Sequence, residues 1–517
     1  IILVVLALAL AYFAFDRFVL VPAKVAEIVE ETAEQARSEA LVESYGDQSI
    51  AVLPFVNMSA DPEQEYFSDG IAEELLNLLA KIPELRVISR SSAFAFKGEK
   101  IDIPTVAKKL NVAHILEGSV RKADNRIRIT AQLIEARSDT HLWSQTYDRE
   151  LENIFAIQEE VATAISRALE LKLITVEEPA VLSSLTETIR TAAYDAYLKG
   201  RFLTYGSTAE EIDVGLMHLR EATRLDPTFA PAYAGIADAM IVKAFFSTSP
   251  SAEIVGEART AAQSAIALNP NLADAYSALA SIRMFFDFDW SGSEDAFIKA
   301  ISLGTTSSTA YYRYANLLTG LARFDEAVQM AEQAVEIDPF GIGALHSLGF
   351  SKLLGGDFEG AVTAFGNAIV IHPEWTWGYV KKSLAHALLG QYTEALALAE
   401  ETEKLTRGWG SVFLQGWLAW VYSITNQEEL LQHVVDRINR GIEENRIEDP
   451  FGVAMTYLAT GDCLMALDWM ERSFNERSPN ALFWSVGTAD HLKLAPADCR
   501  EKPRFAELLR RIDLPEY

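Results

Sequence analysis

The sequence predicts a multi-domain chain in which a transmembrane helix is followed by a small α/β domain and then by an all-helical superhelix. Three observations lead to this prediction. They are an uncharged apolar run at the N-terminus, alternating apolar residues between about residues 49 and 174, and prolines that recur in phase with Ala-rich helices farther along. With 517 residues, half of them apolar, the chain is long enough to build several hydrophobic cores.

The charge balance excludes one large class of function. The chain carries 45 basic and 73 acidic residues, for a net charge of −28. Proteins that bind nucleic acid displace counterions from phosphate with Lys and Arg, so we expect no nucleic-acid partner. The chain contains 2 cysteines, which excludes a disulfide-dense scaffold, and no C-x-x-C pair suggests a zinc or redox site.

Residues 1–21 are predicted to form a transmembrane helix. Ile1–Phe15 carries no charge, but fifteen residues span only about 22 Å of a hydrocarbon layer of about 30 Å, so we expect the helix to begin before residue 1. Aromatic residues cluster where the first charges appear, as is typical of a helix leaving the bilayer. A signal peptide cleaved near Ala11 and a buried core helix are the alternatives.

An acidic segment follows at residues 22–48. It is rich in Ala and Glu, and its acidic residues outnumber the two basic ones, Lys24 and Arg37. We interpret it as a solvated helical stalk. Cytoplasmic flanks of membrane helices usually have an excess of Lys and Arg. The absence of such an excess of Lys and Arg here predicts that the bulk of the protein faces the periplasm.

Residues 49–174 alternate between strand and helix patterns in the order βαβαβββα. The runs SIAVLPF and LRVIS predict two strands, separated by an amphipathic helix for which Ser68 and Asp69 are the expected N-cap. Arg126–Glu135 alternates apolar and polar residues, as in the central strand of an antiparallel meander. The order therefore predicts helices packed on a mixed sheet.

Three stretches of this region resemble the FlgO/TolB N-terminal-like domain. They are IAVLPFVNMSADPEQEYFSDGIAEELL, LRVISRSSAFAFKG and HILEGSVRKADNRIRITAQLIEARSDTHLWSQTYDRE. The resemblance implies a bacterial inner-membrane protein whose soluble part lies in the periplasm. It also implies, as an alternative, the non-catalytic half of a class III adenylate cyclase or of a CadC-like membrane regulator. It implies no catalytic residues.

Residues 188–478 contain repeats whose period is marked by prolines. Pro339 and Pro373 are 34 residues apart, and Pro270 and Pro339 are 69 apart, close to two such periods. The repeat ending at Pro373 resembles the tetratricopeptide (TPR) motif at Leu345, Leu348, Gly349, Ala361, Phe365 and Ala368. We predict about seven repeats, followed by a C-terminal cap at 479–517 that includes a helix in PRFAELLRRIDL.

The TPR resemblance implies a concave face lined by the first helix of each pair. The candidate protein-binding residues on this face are Tyr312, Asn316, His346, Phe350, Trp377 and Val380. Aromatic side chains are favoured anchors at interfaces, so we predict a protein or peptide partner. The acidity of the repeats favours a basic partner, although solubility alone would also explain it.

The sequence lacks the common catalytic motifs. G-x-x-x-x-G-K-[ST], H-E-x-x-H and G-x-S-x-G do not occur in the sequence. We therefore predict no enzyme activity, no cofactor and no metal. The loop between Asn57 and Ser68 lies before a helix N-terminus and is a weaker candidate for a small ligand, with plain helix capping as the alternative.

Two functional hypotheses follow. The first is a membrane-tethered periplasmic scaffold that binds envelope proteins or peptides through the concave face. The second is the sensory or regulatory half of a signalling protein whose output domain precedes residue 1. Cys463 and Cys499 are the only cysteines. A disulfide between them would tie the last repeat to the cap, and two buried free thiols are the alternative.

Overall fold

The computed structural model describes residues 48–512, except for 83, 124–125, 151–153, 170–186, 205–207, 247–251, 305–306, 408–410, 445, 448 and 484–495. The predicted transmembrane helix and the acidic stalk lie outside the described residues. Among the residues that are described, no helix combines the length and the apolar character needed to cross a membrane.

A mixed sheet forms the first domain, as the sequence predicts. Its described strands are β1 (Ser49–Val52), β2 (Val56–Asn57), β3 (Arg86–Val87), β4 (His114–Ala123), β5 (Arg126–Glu135) and β6 (Thr140–Glu150). Their order is β3-β1-β4-β5-β6, and β2 pairs with β4. β1 runs parallel to both of its neighbours, whereas β4, β5 and β6 form the predicted antiparallel meander. The alternating side chains Ile127, Ile129, Ala131 and Leu133 of β5 are buried.

Four helices accompany the sheet in the described part of this domain. They are α1 (Glu65–Leu79), α2 (Arg90–Phe94), α3 (Ile103–Leu110) and α4 (Ile154–Ala168). The sequence does not predict the short strand β2 or the short helix α2. The predicted N-cap of α1 is wrong, because the helix begins earlier, at Glu65. A 3-10 turn that begins at Pro62 and is capped by Asp61 leads directly into it. Ser68 and Asp69 are instead buried inside α1, where Lys97 donates to the Asp69 carboxylate at 2.7 Å.

The repeat region forms eight helix pairs within the described residues. The pairs are α5 (Glu187–Thr204) with α6 (Ala209–Leu225), α7 (Ala230–Phe246) with α8 (Ala252–Leu268), α9 (Ala273–Ile282) with α10 (Trp290–Ser302), α11 (Ser308–Gly320) with α12 (Phe324–Ile337), α13 (Ile342–Leu354) with α14 (Phe358–Ile371), α15 (Thr376–Leu388) with α16 (Tyr392–Leu405), α17 (Val412–Ile424) with α18 (Glu428–Glu443), and α19 (Pro450–Thr460) with α20 (Cys463–Asn475). Fully buried alanines recur in the second helices, where small side chains permit close packing. Examples are Ala222, Ala262, Ala300, Ala334, Ala368 and Ala399.

The pair α17/α18 accounts for the difference from the seven repeats expected. No proline marks its end in phase with the others, and α17 (VFLQGWLAWVYSI) is buried over most of its surface. A helix buried on all sides is apolar on all sides, so it lacks the amphipathic period that reveals a repeat.

The C-terminal segment folds back against the middle of the array. It comprises a 3-10 turn (Pro479–Phe483), α21 (Ala497–Arg500) and α22 (Pro503–Arg511), the last being the helix predicted from the sequence. Trp290 Nε1 donates to the carbonyl of Ile512 at 2.6 Å, and the Phe483 ring lies 4.9 Å from that of Phe350. A disulfide joins Cys463 to Cys499, whose Cα atoms are 5.2 Å apart.

Candidate functional site

The α/β domain packs against the first repeats through α1. Helix α1 contacts α5, and Gly70 permits this approach, because a Cβ atom at Gly70 would lie 2.6 Å from a methyl carbon of Leu198. Asp195 of α5 accepts hydrogen bonds from Tyr66 at 2.8 Å and from Lys122 at 2.7 Å. An apolar contact and a charged one thus hold the two domains together at this end of the interface.

A second contact joins α2 to the turn that follows α12. The carboxylate of Asp338 accepts hydrogen bonds from Ser91 and Ser92, each at 2.5 Å, and from Ser308 of α11 at 3.1 Å. The backbone N–H of Ser89 donates to the carbonyl of Ile337 at 2.8 Å. Four hydrogen bonds therefore meet at the start of α2, and Asp338 is buried among them.

Between these two contacts lies an ion-pair cluster centred on Glu73. Its carboxylate pairs with Arg201 of α5 at 2.8 Å and with Arg90 of α2 at 3.1 Å, which links both domains. The neighbouring Glu74 accepts a hydrogen bond of 3.4 Å from Tyr197. Burial, together with the adjacent charge of Glu73, raises the pKa of Glu74 to about 7.

A partly open cavity of about 300 Å³ lies between the two domains. Helices α1 and α2 form one wall, and the inner helices of the first repeats form the other. The polar side chains on the repeat wall include Arg201, Asp238, Asp274, Ser277, Ser307, Ser308, Thr309, Tyr312 and Asp338. The cavity is thus the part of the concave TPR face that the α/β domain covers without filling.

One buried group in this cavity has unused hydrogen-bonding capacity among the described residues. Ser277 Oγ is buried without a partner in that part of the chain, whereas Asp274, which also lines the cavity, is exposed. Desolvation of its carboxyl group raises the pKa of Asp274, while the charge of Arg201 opposes this effect. Asp238, by contrast, accepts from Arg313 at 3.1 Å. A polar cavity of this size accommodates ordered water or one small ligand that donates hydrogen bonds.

The predicted groove residues separate into two places. Tyr312 lines the interdomain cavity, and Asn316, one turn farther along α11, accepts a hydrogen bond from Ser347 at 3.2 Å. Both side chains are half-buried. The first part of the predicted concave face is therefore covered by the α/β domain.

The remaining candidates surround a lysine that the sequence gave no reason to select. Lys381 is 2% exposed, and its ammonium lies 3.9 Å from the centroid of Phe350 and 5.0 Å from that of Trp417. His346 Nε2 lies 2.5 Å from Lys381 Nζ. The centroid of the Trp377 ring lies 5.7 Å from the same nitrogen. Lysine is seldom fully buried, so only the fold reveals this cluster.

This cluster does not form an open groove as expected. Phe350 is 1% exposed because Phe483 of the C-terminal turn packs edge-on against it, and Val380 is completely buried. His346 and Trp377 are half-buried. The C-terminal segment thus occupies the second part of the concave face.

The loop between Asn57 and Ser68 bonds to itself. Asn57 accepts from the backbone N–H of Ser59 at 2.9 Å, and Asp61 accepts from that of Glu63 at 2.9 Å. These are ordinary turn and capping bonds. They account for the polar residues that suggested a ligand at this helix terminus.

Two family models match parts of the chain. Residues 46–165 match the model described as "HilA/YgeH-like transcriptional regulator, second domain", which covers the α/β domain where the resemblance to FlgO/TolB had been inferred. Residues 308–340 match the tetratricopeptide repeat model. The TPR prediction is therefore confirmed, whereas the FlgO/TolB resemblance stays a prediction.

The similarity to the following proteins extends over part of this chain and part of each of them. A Rhizobium meliloti (strain 1021) protein provisionally named adenylate cyclase 3 is 45% identical over 188 residues, or 36% of this chain. The chain spans about a third of that relative, 32% of its length. Among solved structures, yeast Tom70 is 16% identical over 69% of this chain and 77% of its own, with a TM-score of 0.38. Pseudomonas aeruginosa pilF is 16% identical over 41% of this chain and 92% of its own, with a TM-score of 0.30.

Proposed function

We propose that this chain is the non-catalytic regulatory part of a larger signalling protein. TPR-like repeats are typical of protein-interaction scaffolds, and here the array binds the α/β domain of the same chain in its concave face. The observation that carries the proposal is the partly open cavity of about 300 Å³ between the two domains. A ligand bound there would contact both domains and change how tightly they hold each other.

The names of the similar proteins support a role in signalling. One describes a transcriptional regulator and the other an adenylate cyclase. In this proposal the output activity belongs to a part of the protein outside this sequence. The apolar residues 1–21 would anchor the protein in the bacterial inner membrane, and the two described domains would lie in the periplasm.

The ligand chemistry follows from the cavity wall. The carboxylate of Asp274 and Ser277 Oγ lie on one wall of the cavity, and the ion pair of Glu73 with Arg90 closes the other. The repeat wall presents the carboxyl groups of Asp238 and Asp274 and the unpartnered hydroxyl of Ser277, so we propose a small molecule with hydrogen-bond donors as the ligand. An apolar ligand would leave Ser277 Oγ unpaired.

Hydrogen–deuterium exchange of the full chain in detergent tests this proposal. We expect a small-molecule fraction of periplasmic extract, below about 1 kDa, to slow exchange in α2 and in the turn after α12. The variant Asp274→Asn keeps the cavity volume and should lose most of this protection, whereas the exposed Asp325→Asn should keep it. Equal protection in Asp274→Asn, or none in the wild type, would contradict the proposal.

A scaffold that binds an external protein is the second candidate. The half-buried aromatics Tyr312 and Trp377 favour it, since a partner that displaced the covering segments would meet both side chains. Such a partner would be a protein or peptide, with a basic one favoured by the net charge of −28. Loss of capture of an envelope protein by Tyr312→Ala combined with Trp377→Ala, at unchanged helical circular dichroism, would support this candidate.

A further inference from the structure

Strand β6 forms an unpaired edge of the sheet. It pairs along one side with β5, from Arg126 opposite Glu150 to Glu135 opposite Thr140, with a bulge at which Leu142 has no residue opposite it. The other side of β6 pairs with no strand in the described part of the chain. The strand is 11 residues long, and all but Trp143, Tyr147 and Asp148 are exposed.

Natural sheets protect such edges, but the segment of β6 that follows the bulge at Leu142 lacks the usual protection. Edge strands are commonly short or carry bulges, Lys, Pro or inward-pointing charges, because a bare row of N–H and C=O groups pairs with other chains. His141–Tyr147 contains no Lys, Arg, Asp, Glu or Pro. Leu142 within it is 43% exposed. The middle of β6 therefore has the composition of a strand that pairs.

We propose that β6 pairs with β6 of a second copy of this chain, antiparallel, with Gln145 on the two-fold axis. This register pairs Trp143–Tyr147 of the two copies, the regular segment that follows the bulge at Leu142. It also keeps α4 on the same face of both sheets, because residues of equal parity face each other. Two sheets would then join into one continuous sheet.

The side chains of β6 complement themselves in this register. Trp143 faces Tyr147 of the second copy, and both belong to the apolar layer of the domain, so that layer continues across the axis. Ser144 faces Thr146, and Gln145 faces Gln145. Cross-strand aromatic and hydroxyl pairs of this kind stabilise antiparallel sheets, and no two like-charged carboxylates or ammonium groups meet. A second copy is therefore favoured over an unrelated strand.

The face of the meander away from α4 fits the same arrangement. Asp148 of β6 pairs with Arg126 at 2.7 Å and also with Arg128, and Thr130 and Thr146 bond at 3.0 Å. These side chains are already satisfied within one copy. The paired sheets can thus leave this polar face in water.

Charge substitution at the axis tests the proposal. In the full chain in detergent, Gln145→Lys and Gln145→Glu each place like charges opposite each other on the axis. Sedimentation equilibrium should show the dimer dissociation constant raised about fivefold in each variant. An equimolar mixture of the two should restore dimers to the wild-type level or above, because Lys then faces Glu. Met217→Lys, at an exposed site on α6, should leave the constant unchanged.

Three results would overturn the proposal. They are a monomeric wild type at about 100 μM, single Gln145 variants that dimerise like the wild type, and a mixture that dimerises no better than either variant alone. Far-ultraviolet circular dichroism of each variant checks that folding is retained. Dimerisation through another part of the protein would leave both charge variants indistinguishable from the wild type and thus falls among these results.

Discussion

The carboxylate of Asp338 and the hydroxyl of Ser92 lie 2.5 Å apart, although 246 residues separate them in the chain. This bond connects the α/β domain to the turn between two TPR helix pairs. Ser91 and Ser308 donate to the same carboxylate, and Asp338 is 4% exposed. One buried side chain thus holds α2 of the first domain and α11 of the second in a fixed relation.

Replacing Asp338 by Ala should loosen the docking of the two domains. The buried hydroxyls of Ser92 and Ser308 and the exposed Ser91 would lose their acceptor, which costs about 2–4 kcal/mol of stability for hydrogen bonds to a charged group. We expect faster hydrogen exchange in α2 and a melting temperature lower by several degrees. Asp325→Ala, at an exposed position of α12, is the matched control. Unchanged exchange in α2 would show that α1 alone holds the domains.

The pKa of Glu74, raised to about 7, predicts a pH dependence of the interface. The folded protein binds the Glu74 proton more tightly than the unfolded chain does, so stability falls as pH rises from about 4.5 to about 7. Glu74→Gln mimics the protonated form. At pH 8 it should raise the melting temperature and increase the free energy of unfolding by up to about 3 kcal/mol. Near pH 5 it should have little effect.

The control for this prediction is Glu84→Gln, because Glu84 is exposed. Melting temperatures of both variants and of the wild type, measured from pH 5 to pH 8, check the expected convergence at low pH. A benefit of Glu74→Gln that is the same at every pH would mean that the carboxylate stays charged in the folded protein.

Lys381 should destabilise the protein at neutral pH. Burial lowers the pKa of its ammonium well below the ordinary value, so the unfolded chain binds this proton more tightly and stability rises with pH toward about 10. Lys381→Met keeps the length of the side chain and removes the charge. We expect a gain of about 1–3 kcal/mol at pH 7, which shrinks by pH 10.

Thermal unfolding of Lys381→Met and of the exposed Lys100→Met between pH 7 and pH 10 checks this expectation. Lys100→Met should follow the wild type throughout. A Lys381→Met variant less stable than the wild type at pH 7 would show that the surrounding rings of Phe350 and Trp417 stabilise the charge by more than burial costs.

The bond between Cys463 and Cys499 should hold the C-terminal cap on the array. The two residues are 36 positions apart, a loop for which chain entropy gives about 4 kcal/mol of stabilisation. Cys463→Ser with Cys499→Ser should increase hydrogen exchange in α22. Dithiothreitol should bring the wild type to the melting temperature of the double variant and leave that variant unchanged. No response of the wild type to reductant would indicate that packing alone holds the cap.

Much of the local structure could be predicted from residue patterns. The alternation of β5 and the PRF helix are present as expected, because side-chain periodicity is set by backbone geometry. The start of α1 was misplaced, since the 3-10 turn begun by Pro62 outweighed the capping preference of Ser68. The pair α17/α18 was missed, because a helix buried all round has no polar face to give its period.

The sequence by itself determined the two kinds of domain, the mixed sheet and the stacking of Ala-rich helix pairs, since these depend on residues close together in the chain. Only the tertiary structure decided what covers the concave face. Asp338 meets Ser92, and Phe350 meets Phe483, across separations that no short pattern records. Those contacts depend on the cumulative angle between successive repeats and on the docking of α1. Small rotations at each helix pair add up, and their sum is a property of the whole array rather than of any segment.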